Sequence, residues 1–303
     1  MTLELPLNDL RPRAFAIAYR MLGSVSEAED IVQEALLRVH QAVTGGEVLE
    51  SPAAFVTTVT TRLAITELQS ARARRERYVG DWLPEPLITD ADPSALVETN
   101  DALSMALLVT LEKLTPDQRA ALLLHDVFDY GYEELAEVIG VSSANARQLV
   151  ARARAHLGDD RDRFTATPDS HAELVTRFFA AAQNGDLDGL EQLLTEHVTL
   201  TGDGGGKVPA LGRTILGRFR VAKTMVNGMR EWMRYSPVTW REVSVNGGPG
   251  RVFEDSDGKV LGVIAITVVN GSIASIDAVV NPDKLTHLGP VGDLKSMQRP
   301  VPE

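Results

Sequence analysis

Two groups of basic side chains are spaced for work on a polyanion. Arg72, Arg74, Arg75 and Arg77 crowd the end of one helical segment, and Arg147, Arg152 and Arg154 stud another, in a chain of 303 residues whose formal charge is −12. A protein that binds DNA unaided relies on a basic face to displace counterions, so the placement of charge matters more here than its sum. In the second group Ser143, Asn145, Arg147 and Gln148 fall in the first turns of a helix, where polar side chains reach base edges, and Arg152 and Arg154 follow where phosphates would be gripped. His197, Asp203 and Asp277 are the types used in acid–base chemistry. No spacing brings those three together, and ordinary surface or hydrogen-bonded roles account for them more simply. The six histidines are scattered and there is no cysteine, which excludes disulfides, thiol catalysis and cysteine-ligated zinc; no metal and no cofactor are expected. Gly204-Gly205-Gly206-Lys207 resembles a phosphate-binding loop only loosely. A P-loop needs glycine where Thr201 stands and Ser or Thr where Val208 stands.

These side chains need helices to hold them, and the apolar pattern supplies them. Phe15, Ala18, Tyr19 and Leu22 form one stripe of a helix ending near Gly23. Ser26 and Glu29 form a capping-box pattern for a second helix, which buries Val32, Ala35, Leu36 and Val39 and carries Glu27, Glu29, Asp30 and Glu34 outside. Ser51-Pro52 opens a third, with Phe55, Val59 and Leu63 inward, that runs into the arginine cluster. Trp82-Leu83-Pro84-Glu85-Pro86-Leu87 cannot continue a helix. From Tyr78 to Glu112 there is no Lys or Arg, so this stretch is expected to be a flexible anionic linker able to lie in a channel built for nucleic acid. Thr115, Pro116 and Gln118 then form a second capping box, and a short helix over 133–139, a turn at Gly140 and a cap at Ser142 predict a helix-turn-helix whose second helix enters the major groove.

After Phe164-Thr165-Ala166-Thr167-Pro168 the chain changes character. Two opening helices, a helix around 216–232, strand-like runs at 197–201, 237–245, 251–254, 260–269 and 273–280, and the hairpin signal Asn270-Gly271 predict an α+β domain. Gly289 onward, with Pro290, Pro300 and Pro302, is expected to be a flexible tail. Nothing reads as a leader or a membrane span, so a cytoplasmic protein is expected, with no membrane partner.

The two helical blocks resemble, in order, the domains of the extracytoplasmic-function sigma factors. Asp30-Ile31-Val32-Gln33-Glu34-Ala35 resembles the polymerase-binding helix of sigma domain 2, and 132–157 resembles sigma domain 4. The segment 82–87, Asp203-Gly204-Gly205-Gly206-Lys207 and Asn281-Pro282-Asp283-Lys284-Leu285 resemble the signatures of the subfamily with a C-terminal SnoaL-like (NTF2-like) domain. The resemblance implies a multidomain fold: sigma domain 2 over 1–80, an acidic linker over 81–105, sigma domain 4 with its helix-turn-helix over 106–160, a linker over 161–169, an α+β SnoaL-like cone over 170–288 and a tail. It implies a sigma factor and not an enzyme, one that binds the beta-prime clamp and beta flap of core RNA polymerase and promoter DNA. Asp30, Gln33, Glu34 and Leu37 would meet the polymerase. Arg62, Gln69, Arg72, Arg74 and Arg75 would hold melted DNA, although Thr66-Glu67-Leu68-Gln69 departs from the family pattern. Trp82 and Pro84 would carry regulatory contacts between domains, Asp203 to Lys207 would dock against the sigma domains, and Asn281 to Leu285 would help set the last domain's position. Its apolar pocket suits a small-molecule ligand. Two other classes compete. A stand-alone ligand-sensing regulator would bind duplex tightly without polymerase, and a SnoaL-type enzyme tethered to DNA would lose turnover on substitution of Asp203 or Asp277.

Overall fold

A computed structural model describes residues 7–89, 104–158, 171–235 and 238–297. The chain divides into two compact units, the first holding 7–77 and 110–158, the second 78–89, 104–109 and 171–297 among the described residues.

The first unit is helical. α1 (Leu7–Leu22) stops where Gly23 turns left-handed at φ 66°. α2 (Val25–Thr44) begins two residues earlier than the capping-box pattern suggests, because Ser24 is already extended and accepts the Glu27 amide. Ser26 therefore lies inside the first turn. α3 (Pro52–Arg75) is capped by Ser51, and its Phe55, Val59 and Leu63 pack on a core of Ala14, Val32, Ala35, Val39 and Val56. A helix not foreseen in the sequence, α4 (Met105–Leu111), belongs to the second unit up to residue 109 and leads into α5 (Pro116–Asp126) of the first, which Thr115 and Gln118 cap reciprocally. α6 (Tyr132–Ile139) and α7 (Ser143–Leu157) form the helix-turn-helix. Gly140 supplies φ 82°, a conformation that costs a residue with a Cβ about 1 kcal/mol, and Ser142 accepts the Asn145 amide. Leu135, Ala136, Ala146 and Val150 bury the facing sides, with Val141 packed against them as expected.

In the second unit α8 (His171–Asn184) and α9 (Leu187–Leu193) lead into β1 (Leu194–Asp203), β2 (Ile215–Leu216), α10 (Arg218–Tyr235) and strands β3 (Thr239–Val245), β4 (Gly248–Glu254), β5 (Val260–Val269) and β6 (Ser272–Val279). The sheet order is β2-β1-β6-β5-β4-β3, with β1 and β6 parallel and the other pairs antiparallel. Asn270-Gly271 turns as the sequence indicates, and Asn246-Gly247 makes the same left-handed pair (φ 53° and 75°) between β3 and β4. Side chains alternate across the sheet. Phe253, Ile266 and Ile276 face α8, α9 and α10, while Val252, Ala265 and Val279 face away from them. This is the α+β arrangement, helices on one face of a mixed sheet, that the SnoaL-like resemblance implies.

Leu83, Met105 and Leu285 cover the other face of the sheet, so 78–89 is extended as expected but packed rather than flexible. Two short 3-10 turns (Pro282–Lys284 and Thr286–Leu288) come after β6. The expected tail also packs in part: Val260 donates to the Pro290 carbonyl, Gly292 donates to Val260, and Leu294, which opens α11 (Leu294–Met297), is buried with the helix-covered core.

Candidate nucleic-acid interface and linker clamp

On α7 most of the residues expected to contact DNA are exposed. Asn145, Arg147, Gln148 and Arg152 are exposed, Ser143 is half-buried, and the Arg147 guanidinium lies 5.2 Å from the Tyr132 ring centroid. Arg154, expected on a phosphate, is instead hydrogen-bonded to both Asp126 carboxylate oxygens, which raises its pKa further.

The arginines of α3 are occupied inside the first unit. Arg62 donates to the Glu137 and Val138 carbonyls at 2.8 and 2.9 Å, at the end of α6 where helix carbonyls lack partners. Arg74, whose side chain is more than half exposed, pairs with Glu27 and Glu67, contacts that solvent screening makes worth little. Arg72 donates to the Glu112 carbonyl at 3.4 Å, and Arg75 pairs with the Glu112 carboxylate and reaches the Leu22 carbonyl. Gln69 is exposed.

Sequence reasoning missed the residue at the centre of this cluster. Arg119 is 1 % exposed, and it donates to the Leu111 and Met21 carbonyls at 3.0 and 2.7 Å and to Glu112 at 2.5 Å. Burial pushes the Glu112 carboxyl up, but Arg119 and Arg75 more than offset it and hold it below the usual carboxylate range. Arg13 adds a bond to Thr57 at 2.9 Å and one to Tyr130 at 3.2 Å, and the buried Arg20 lies 5.3 Å from the Phe128 ring. The only hint in the sequence was a basic residue on the inward side of α5.

On α2, Asp30, Gln33 and Leu37 are exposed at i, i+3 and i+7, so they form one stripe, and Leu37 is 48 % exposed despite being apolar. Glu34 is half-buried and pairs with Arg38 at 2.7 Å.

In the second unit the three short motifs converge. Asp203 is wholly buried: Oδ1 accepts from Tyr78 Oη (2.6 Å) and the Gly205 amide (3.0 Å), and Oδ2 accepts from the Leu83 amide (2.8 Å) and Lys284 Nζ (2.7 Å). Lys284, itself buried, also donates to the Leu83 carbonyl and sits 4.0 Å from the Trp82 ring centroid. Asn281 Nδ2 donates to Tyr78 Oη at 2.7 Å, and its Oδ1 accepts the Asp283 amide. Burial, then the Asp203 carboxylate, pushes the Tyr78 phenol well above its ordinary range. The glycines have steric reasons to be glycine. A Cβ on Gly205 would stand 2.3 Å from Asn281 Nδ2, and one on Gly206 would stand 3.0 Å from Val79 Cβ. Lys207 pairs with Asp283 on the surface. Pro84 is buried, Pro282 starts the 3-10 turn, and Leu285 is fully buried beside Leu83.

The segment then zips along the sheet. His287 Nε2 bonds the Pro86 carbonyl at 2.8 Å, Asn246 donates its amide to Leu87 O and accepts from Leu87 N, and the Thr89 amide donates to Ser244. Asp81 accepts from Thr214 at 2.9 Å. Tyr78, Asn246, Thr214 and His287 were not legible as partners, because each lies far in sequence from what it touches.

The acid–base candidates do not form a catalytic group. His197 is exposed, Asp203 is paired with Lys284, and Asp277 is buried on β6 across from Thr201 with Ser275 Oγ 3.2 Å away. Burial, opposed only by the Ser275 bond, raises the Asp277 carboxyl to about 7. Between the ordinary carboxylate range and that value the unfolded chain is ionised and the folded chain is not, so stability falls as pH rises through this window. Asp277→Asn should therefore gain about 2–4 kcal/mol over the parent at pH 8, an advantage that shrinks towards pH 4, as read from urea denaturation at the two pH values.

Among the described residues no cluster of three or more His, Asp or Glu is placed to hold a metal ion, and no helix is long and apolar enough to cross a membrane. The description "Sigma-70 region 2" matches residues 7–74, and "Sigma-70, region 4" matches 104–157. The chain is 40 % identical over 290 residues to the ECF RNA polymerase sigma factor SigJ of Mycobacterium tuberculosis, covering 91 % of each chain. It is 31 % identical over 276 residues to the probable ECF sigma factor SigI of the same species, covering 90 % of this chain and 91 % of the relative. The crystal structure of Mycobacterium tuberculosis SigJ superimposes with a TM-score of 0.74 at 37 % identity, over 92 % of this chain and 96 % of that one. The helix-turn-helix, the acidic α2 and the match along almost the whole length agree: the chain belongs to the extracytoplasmic-function RNA polymerase sigma factors, non-enzymatic proteins that direct transcription initiation.

Proposed function

We propose that this sigma factor is restrained by its own C-terminal unit, which clamps the segment joining the two sigma regions and releases it when the chain engages core RNA polymerase in the cytoplasm. One observation carries this reading. The carboxylate of Asp203 accepts four hydrogen bonds, two of them from the joining segment at Tyr78 and Leu83. An acidic strand held in this way is unavailable to a channel built for nucleic acid. The α3 arginines are restrained in a parallel way, since Arg62, Arg72 and Arg75 must leave the Glu137, Val138 and Glu112 contacts before they can hold a melted strand. Asn145, Arg147 and Gln148, with Ser143 at the helix start, then read the upstream element, and Arg152 grips a phosphate beside them. The stripe of Asp30, Gln33 and Leu37, with Glu34, meets the clamp of the polymerase, where an exposed leucine among acids suits an apolar anchor ringed by charge. A small-molecule effector would act on the helix-covered face of the sheet, opposite the clamp.

The test is run-off transcription with purified core polymerase. Lys284→Ala, which removes the cation that ties Asp203 to the Leu83 carbonyl, should raise promoter-dependent transcript several-fold at equal protein concentration. Unchanged or reduced yield would argue against restraint by the clamp. Leu37→Asp should lower affinity for core polymerase about tenfold or more, because a hot-spot truncation costs on the order of 2 kcal/mol, with no change in thermal unfolding. Equal affinity by titration of labelled chain would remove Leu37 from the contact.

A further inference from the structure

From Gly204 to Arg230 the sequence holds six cations, Lys207, Arg213, Arg218, Arg220, Lys223 and Arg230, and no Asp or Glu, within a chain of net charge −12. Lys207 is paired with Asp283. Arg213, Arg218, Arg220 and Lys223 are exposed, and none has an ion pair among the described residues. Leu216 and Phe219, 59 % and 54 % exposed, stand among them. We infer that this surface, at the start of α10 and the adjoining edge strand β2, binds single-stranded DNA.

Helix geometry makes the patch continuous. Phe219, Lys223 and Arg230 recur at i, i+4 and i+11, which puts them on one stripe of α10 roughly 16 Å long, with Arg220 and Asn227 beside it. The opposite side carries Val221, Ala222, Met225, Val226 and Met229, all buried in the core of the unit. α10 therefore has no apolar face to lay into a lipid surface. The placement of charge also runs against the helix's own interest. Arg218 and Arg220 occupy its first turn, where the macrodipole favours anions, and Gly217 before it has no side chain to cap the free amides. An anion laid across this end would satisfy both the guanidiniums and the amides.

The partner's chemistry follows from the apolar residues. Phosphates alone would need only cations, and a solvent-exposed phenyl ring beside three arginines adds nothing to duplex binding. A ring flanked by cations is a stacking platform for an unpaired base, the combination that single-strand binders use. An acidic protein surface would also be attracted, but it leaves the exposed ring unexplained. The inference goes beyond the restraint proposed above and does not depend on it, since it concerns residues outside the clamp and a binding step without polymerase.

Fluorescence anisotropy of the full chain, without polymerase, against a labelled oligonucleotide of about 20 nucleotides and against its duplex tests this at several salt concentrations. Arg218→Glu with Lys223→Glu should weaken single-strand binding about tenfold or more at low salt and flatten the log–log salt slope by roughly 1.4, the loss of two phosphate contacts. Phe219→Ala should weaken single-strand binding about fivefold or more and leave duplex binding within about twofold. All three side chains are exposed, so thermal unfolding should match the parent. Single-strand binding by the charge-reversed chain within about twofold of the parent would overturn the proposal, as would equal losses on duplex and single strand for Phe219→Ala. Unchanged DNA binding with lowered affinity for core polymerase would assign the surface to an acidic protein face instead.

Discussion

Asp203→Ala is expected to destabilise the second unit by about 3–5 kcal/mol, the usual consequence of leaving one partner of a buried ion pair uncompensated. Lys284 has 7 % side-chain exposure and cannot reach solvent, and the Tyr78 hydroxyl and the Leu83 and Gly205 amides lose their acceptor in the same step. For a unit of this size that corresponds to a fall in Tm of roughly 10 °C. The loss should be uneven along the chain. Amide exchange of Leu83, which donates to Asp203, and of Thr89, which donates to Ser244, should accelerate more than that of central β5, because undocking the segment does not unfold the sheet. Asp203→Asn keeps the shape but presents an amide to a buried ammonium, so it should recover only part of the loss. Uniform acceleration across the unit would mean that Asp203 supports the fold at large and not a separable clamp.

The second large effect lies in the first unit. Glu112→Ala leaves the buried guanidinium of Arg119 without its carboxylate and removes the ion-pair partner of Arg75, at an expected cost of about 3–5 kcal/mol at pH 7. The sign of the pH dependence follows from the lowered carboxyl. In the folded chain Glu112 stays ionised to lower pH than in the unfolded one, so its contribution is fully present above the ordinary glutamate range and is lost as pH falls through the folded value. Glu112→Gln and the parent should therefore differ most at pH 7 and converge on acidification, as read from denaturant midpoints at each pH. A constant difference down to pH 3 would remove the charge from the explanation. Of the α3 arginines only Arg75 loses a partner in this variant, since Arg62 is held by the Glu137 and Val138 carbonyls and Arg72 by the Glu112 backbone carbonyl.

What was legible in the sequence was local. Ser51-Pro52, the Thr115–Gln118 box and the Gly140 turn each place their own signals within four residues, and the structure builds all of them as read. Asp30, Gln33 and Leu37 were named from the family resemblance, and α2 exposes all three along one stripe. Ser26 misled because a pattern of Ser with Glu three residues on cannot distinguish a cap from a first turn, and the left-handed Gly23 had already started the helix at Val25. The segment 78–89 misled for a different reason. Prolines and unpaired acids read as a solvated strand, while the groups that bury it, Asp203, Asn246, Lys284 and His287, lie more than 100 residues away. The free cations of α10 were diluted by the chain's overall acidity, and counting charge over that stretch alone would have exposed them.

The proposed release of the joining segment can be tested by locking it. The chain has no cysteine, and a Cβ on Gly206 would lie 3.0 Å from Val79 Cβ, slightly closer than the roughly 3.5–4.5 Å of a disulfide, so a pair introduced by Val79→Cys and Gly206→Cys is within bonding reach after a shift of the loop, with a further strain of about 1–2 kcal/mol for a side chain at the left-handed Gly206 (φ 70°). Run-off transcription with core polymerase would compare the oxidised and the reduced double variant, with the parent chain treated identically. If release is required, the oxidised protein should yield less than about a tenth of the transcript of the reduced one, and reduction should restore it, an order of magnitude being about 1.4 kcal/mol of lost competence. Equal transcript from the oxidised and reduced forms would contradict the account.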